Sequence, residues 1–248
     1  MRVIGRRAGL GLALALSLST ALVACAPTPP KDAAAIESVG ILARQGHQAP
    51  ALRQLQDWAN QGYAVAQREL ALGLLAEPAT RDEGLAWLGR AAQGGDAEAG
   101  YQLGEAHRLG RFGLRADVLA AKPWMALAAK AGHADAALNM ARMASNGEAG
   151  PQDLGQALYW LKLASTQGNA QAMMLLSSAF AQGRGTAVDP AQARHWLEQA
   201  ADRHFPPAIQ AYALALENGD LGFEKNPDEA RELLAEAREE RRNRWNTR

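Results

Sequence analysis

Cysteine is almost missing from this chain. Cys25 is the only one in 248 residues, so no disulfide can form within it and the fold must be held by packing. An excess of either charge is missing too: there are 26 basic and 26 acidic residues. Without Arg2, Arg6 and Arg7, which belong to an amino-terminal segment set apart below, the count is 23 against 26, a net charge of about −3. That balance excludes the basic footprint of a nucleic-acid binder and any polybasic patch for anionic lipid. The familiar chemical signatures are absent as well: C-x-x-C, H-E-x-x-H, G-x-S-x-G, S-x-x-K and the phosphate loop. The histidines His47, His107, His133, His195 and His204 stand apart from one another. The sequence therefore gives no reason to expect catalysis, a metal or a cofactor.

A long apolar run occurs once, at the amino terminus. Arg2, Arg6 and Arg7 precede the apolar and small residues Ala8 to Thr20, and Leu22-Val23-Ala24-Cys25 follows. The run is too short for a membrane span and reads as a secretory signal. Pro27, Pro29 and Pro30 then make a stiff, extended segment. The eight residues 25–32 reach at most about 26 Å at roughly 3.3 Å each.

Beyond the tether, one pattern fills the chain. With Trp160 as position zero, Gly168 lies at +8, Ala172 at +12, Leu176 at +16, Phe180 at +20 and Gly183 at +23. Trp87, Trp124 and Trp196 carry the same frame, with His204 replacing glycine at +8 in the Trp196 copy. Including Gln54 and Leu233, the anchors are spaced 33, 37, 36, 36 and 37 residues apart. Each period holds two short amphipathic helices, the mark of an α-solenoid.

Within a period each letter has a physical reason. Thr80, Asp117, Asp153, Asp189 and Asn226 at −7 are helix N-caps in this reading, with Thr80 and Glu83 at capping-box spacing. Positions −3, 0, +1, +4 and +5 span about 140° of the first helix, wide enough for two neighbours. In the Trp160 copy they are Ala157, Trp160, Leu161, Ala164 and Ser165. The recurring tryptophans are accordingly expected in the core. Alanines at +5 and +12, such as Ala129 with Ala136 and Ala201 with Ala208, predict a close approach of the two helices joined at +8. Glycine or His204 at +8 is expected to end the first helix in the left-handed region. A lone amino-terminal helix with Ile36, Val39 and Leu42 turned inward is expected to cap one end. At the other end, a last helix from Asn226 runs into a solvated tail of mixed charge containing Trp245.

An Asp seven residues before W-L-x-x-A-A-x-x-G-x-x-x-A-x-x-x-L, closed by a later glycine, resembles the Sel1-like repeats, relatives of the tetratricopeptide repeats. L-V-A-C likewise resembles a bacterial lipobox. These resemblances imply an all-α solenoid of about five helix pairs over 33–248, a lipoprotein signal over 1–24, and a lipidated Cys25 with a proline-rich tether over 25–32. Ala26 in place of Asp after Cys25 resembles lipoproteins sent to the outer membrane, so the implied location is the periplasmic face of that membrane, with a lipid anchor. Cysteine-rich relatives that act on β-lactams carry paired cysteines, and this chain has none to pair.

Function is then expected on surfaces. Positions −1, +2 and +6 lie opposite the buried stripe and include Lys130, Tyr159, Lys162, Thr166, His195 and Glu198. Such a row suits a protein or peptide partner. The family resemblance implies a non-enzymatic scaffold or adaptor of the cell envelope serving a secretion, polysaccharide-export or stress-response complex. The alternative from a different class is a periplasmic hydrolase or binding protein for cell-wall fragments.

Overall fold

The computed structural model describes residues 32–46 and 49–246. The expected signal, Cys25 and the proline tether up to residue 31 lie outside the described residues, as does the side chain of Trp245. Twelve α-helices and three 3-10 turns follow in order among the described residues, with no strand. They are α1 (Ala33–Gly46), α2 (Ala49–Asn60), α3 (Ala64–Leu75), α4 (Arg81–Gln93), α5 (Ala97–Leu109), α6 (Val118–Lys130), α7 (Ala134–Asn146), α8 (Leu154–Thr166), α9 (Ala170–Gln182), α10 (Pro190–Ala201), α11 (Pro206–Asn218) and α12 (Pro227–Asn246).

The even helices α4, α6, α8 and α10 bury the expected stripe. In α8, Ala157, Trp160, Leu161, Ala164 and Ser165 are all buried. Trp87 is equally enclosed, whereas Trp124 and Trp196 are half-buried and lie against the edges of the apolar clusters. The second helices contribute Ala99 and Leu103, Ala136 and Met140, Ala172 and Leu176, and Ala208 and Leu216.

Turn chemistry follows the frame. Gly132 at +8 has φ 103° and His204 has φ 50°, so the histidine adopts the left-handed backbone that glycine takes elsewhere. Asp117, Asp153, Asp189 and Asn226 accept hydrogen bonds from the amides of Ala120, Gln156, Gln192 and Glu229. Thr80 departs from the expectation. Its hydroxyl donates to the Leu74 carbonyl at 2.7 Å, and Glu83 accepts from the Trp87 indole at 3.3 Å, so no capping box forms. The 3-10 turn Pro78–Thr80 holds Thr80 at φ −115°, ψ 6°, away from the extended backbone a cap requires.

A second row of caps was not read from the sequence. At +9, Asp96, His133 and Asn169 accept from the amides of Ala99, Ala136 and Ala172. His133 does so through Nδ1, while its Nε2 lies 3.2 Å from Glu98 and its ring stacks on Tyr101 at 4.1 Å.

Packing between helices also corrects the sequence reading. Ala129, Ala136, Ala201 and Ala208 are buried as expected. Yet each even helix from α4 to α10 packs more extensively on the helix before it, across the longer loop, than on the helix joined to it at +8. Small residues explain this. A Cβ added to Gly100 of α5 would lie 3.1 Å from the Ala128 methyl of α6, and one on Gly84 of α4 would lie 2.9 Å from Leu75 of α3.

At the amino-terminal end α1 packs on α2 and α3. Ile36 and Ala43 face inward, but Leu42 is 49% exposed. The close contact falls at Gly40, where any Cβ would run into Glu69, and this rotates Leu42 outward. Glu37 bonds Arg68 at 2.5 Å, Arg44 pairs with Glu69, and Arg68 also reaches Asp96 at 2.9 Å. Burial disfavours the Arg68 charge, but Asp96, Glu37 and Glu69 outweigh it and hold its pKa above the ordinary value.

Two sets of variants test this packing. Gly100→Leu should destabilise the array by about 1–3 kcal/mol through overpacking. Gly73→Ala, in open space within α3, should stabilise it by about 0.5–1 kcal/mol; thermal unfolding reads both. His133→Ala should cost about 1–2 kcal/mol by uncapping α7, while His133→Asn, which imitates Asn169, should stay within about 0.5 kcal/mol of the parent. Equal melting of the two His133 variants would show that the cap is not what His133 supplies.

Candidate functional site

The six surface residues expected from the frame sit on three even helices. Lys130 ends α6, Tyr159, Lys162 and Thr166 lie on α8, and His195 and Glu198 lie on α10. Five are exposed and Glu198 is half-exposed. Each is steadied within its own repeat where a contact exists. The Tyr159 ring meets Trp160 edge-on at 5.0 Å, and His195 meets Trp196 in the same way at 5.1 Å. Lys162 Nζ lies 5.6 Å above the Phe180 ring, the Thr166 hydroxyl donates to the Leu163 carbonyl, and Glu198 accepts from Arg194 at 3.0 Å. The frame thus places Tyr159 and His195, and Lys162 and Glu198, at matching phases of consecutive even helices. No hydrogen bond or ion pair joins these residues across helices among the described residues.

The odd helices carry a polar ladder that sequence reasoning missed. The +11 residue of one unit bonds the +9 cap of the next: Glu98 reaches His133 at 3.2 Å, and Asp135 accepts from Asn169 at 2.7 Å. Gln171 occupies +11 in the following unit, but Phe205 stands at the next +9. The ladder stops there. Its sequence signal was the recurrence of polar residues at these two phases. Nearby, burial together with the Glu105 and Asp135 charges raises the Tyr101 phenol above its ordinary pKa.

Beside the end of this ladder, α7, α8 and α9 enclose a cleft of about 340 Å³. Leu154, Leu158 and Leu161 line it from α8, Leu175 from α9, Arg142 from α7 and Arg184 from the loop after α9. None of the six frame-derived residues lines it. Arg142 falls at +18, a phase that reads Leu72, Glu105, Arg142, Ser178 and Leu214 along the array. A position that is leucine in the two outer units and Glu, Arg and Ser in the three between gave the repeat reading nothing to find.

Among the described residues, no group of three or more His, Cys, Asp or Glu side chains could hold a metal ion. No helix among them is long and apolar enough to cross a membrane.

The architecture has solved counterparts. The chain is similar to a Sel1 repeat protein from Oxalobacter formigenes at 24% identity and TM-score 0.66, over 84% of this chain and 88% of that one. It is also similar to c5321, described as a protective antigen of uropathogenic Escherichia coli strains with an SLR fold, at 23% identity and TM-score 0.70. That match covers 84% of this chain and 46% of the antigen. At these identities the likeness concerns the fold alone. No curated protein matches the sequence. The Sel1 repeat model matches residues 64–96, 97–133, 134–169, 170–205 and 206–240, so each matched unit opens on an odd helix and joins the pair that packs most extensively. With five consecutive repeats spanning most of its length, the chain belongs to the Sel1 repeat family, whose members generally mediate protein–protein interaction.

Proposed function

We propose that this protein is a lipid-anchored scaffold of the bacterial envelope, held to the periplasmic face of the outer membrane through Cys25 and serving a secretion, surface-polymer or stress-response complex. The observation that carries the scaffold reading is the division of labour along α8. Trp160, Leu161 and Ala164 are spent on the interior, while Tyr159, Lys162 and Thr166 stay outside. An array whose recurring residues are consumed by packing has its outer surface left for partners. Tyr159 and His195, both aromatic with a polar edge, suit a protein contact.

The anchor rests on the amino-terminal residues. Arg2, Arg6 and Arg7, the apolar segment and Leu22-Val23-Ala24-Cys25 together resemble a lipoprotein signal. Two or more acyl chains give durable attachment where one is marginal, and the balanced charge offers no second hold.

Two experiments follow. Cys25→Ser should move the protein from the membrane pellet to the soluble fraction and abolish incorporation of labelled palmitate. Retention in the pellet without label would remove the anchor from the proposal. A photo-crosslinker at Tyr159 or Lys162, introduced in cells, should capture one discrete envelope protein, and the same probe at buried Leu176 should capture none. Indistinguishable patterns from the three positions would count against the outer row.

A further inference from the structure

The cleft between α7, α8 and α9 differs from the rest of this surface in charge. The whole chain has as many acids as bases, yet the only charged residues lining the cleft are Arg142 and Arg184. Neither guanidinium has a hydrogen-bond or ion-pair partner among the described residues. Elsewhere on the odd helices arginine is neutralised: Arg108 is paired with Glu105 at 2.8 Å, and Arg68 is shared by three carboxylates. The Glu105 carboxylate also accepts from Asn139.

The cleft is held open at defined points. Arg184 sits between Gly183, at φ 70°, and Gly185, at φ 76°. A Cβ on Gly185 would overlap the Leu154 carbonyl, so the loop lies directly on the start of α8. The equivalents of Gly185 are Phe112, two units earlier, and Leu221, one unit later, with φ 56° and 55°, and their side chains pack back against the core clusters. In the Trp160 unit glycine takes that place and no side chain is folded back.

Of the leucines lining the cleft, Leu158 and Leu161 are buried and Leu154 and Leu175 are half-buried. Gln171 also lines the cleft, its amide unbonded among the described residues, because the polar ladder ends at Phe205. The site thus combines apolar leucines, an uncommitted amide suited to a main-chain group, and two cations contributed by separate elements, α7 and the loop after α9.

We infer that this cleft receives a linear segment of a partner protein in which an apolar side chain is flanked on both sides by carboxylates. The apolar group enters over Leu158 and Leu161, and the carboxylates meet Arg142 and Arg184, whose planar donors match a carboxylate's two oxygens. This rests on the reading of the protein as a scaffold and adds the chemistry of one of its partners.

Dye-labelled peptides titrated against the full-length protein, followed by fluorescence anisotropy, test the inference. One peptide carries a Leu-Phe pair flanked by Glu on each side; a second has Lys for Glu, and a third has Ser-Ser for Leu-Phe. The first should bind saturably, with both others weaker by about tenfold or more. Arg142→Glu and Arg184→Glu should each weaken the first peptide by about tenfold to thirtyfold. The double reversal should prefer the Lys-flanked peptide. Both arginines are exposed, so unchanged circular dichroism is expected in every variant. Ser178→Trp, which narrows the cleft without altering its charge, should also abolish binding.

Absence of saturable binding, or binding indifferent to both reversals, would overturn the proposal. Displacement of the peptide by inorganic phosphate at equal concentration would overturn it too, by showing a small-anion site. Failure at the cleft with persistent crosslinking at Tyr159 or Lys162 would sink the cleft alone and leave the scaffold standing. Cleft binding without those crosslinks would remove the outer row and leave the cleft as the partner contact.

Discussion

Ala157, Trp160, Leu161, Ala164 and Ser165 wrap about 140° of α8. A single flanking helix cannot cover that arc, so α8 needs α7 on one side and α9 on the other. The same holds for α4, α6 and α10, and a chain of such demands has no natural end until something different is laid over it. At the amino-terminal end that is α1, which trades apolar contact for charge: Glu37 and Arg44 tie it to Arg68 and Glu69. At the other end α12 packs on α11, with Arg238, Glu239 and Arg242 exposed. Each terminal element has one face that needs no further helix.

How closely the helices approach decides which pairs act as units. Gly84 and Gly100 remove a side chain where α4 meets α3 and where α5 meets α6, which lets the backbones come together. The two rows of caps then fix where each helix begins. The +9 caps also do something the −7 caps do not, because His133 and Asn169 are bonded to the preceding unit through Glu98 and Asp135. A residue that ends one unpaired amide therefore also sets the spacing between neighbouring units.

Surface chemistry is distributed by a different rule. Core phases repeat because packing is the same problem in every unit, whereas +18 passes from a buried, paired Glu105 to an exposed Arg142 in the next unit. The cleft beside Arg142 arises from this change together with Gly185, whose missing side chain leaves the loop seated on Leu154. The six frame-derived residues were legible because they complement a periodic stripe, and they do lie outward. The cleft was not, since its walls come from three helices and a loop, and its two arginines fall at different phases of different units.

The sequence by itself determined the solenoid, the buried stripe of the first helices, most of the −7 caps and the left-handed turn at His204. All are set by neighbours within about one helical turn or by a pattern repeated at fixed spacing. Only the tertiary structure decided the rest. It turned Leu42 outward because Gly40 must lie on Glu69, left Trp124 and Trp196 half-covered, and drew Thr80 away to the Leu74 carbonyl. It also assigned the tighter helix pairs and gathered Arg142, Arg184 and four leucines around one cleft. These outcomes depend on atoms distant in sequence meeting in space, and a one-dimensional period carries no information about which side chain yields when they do.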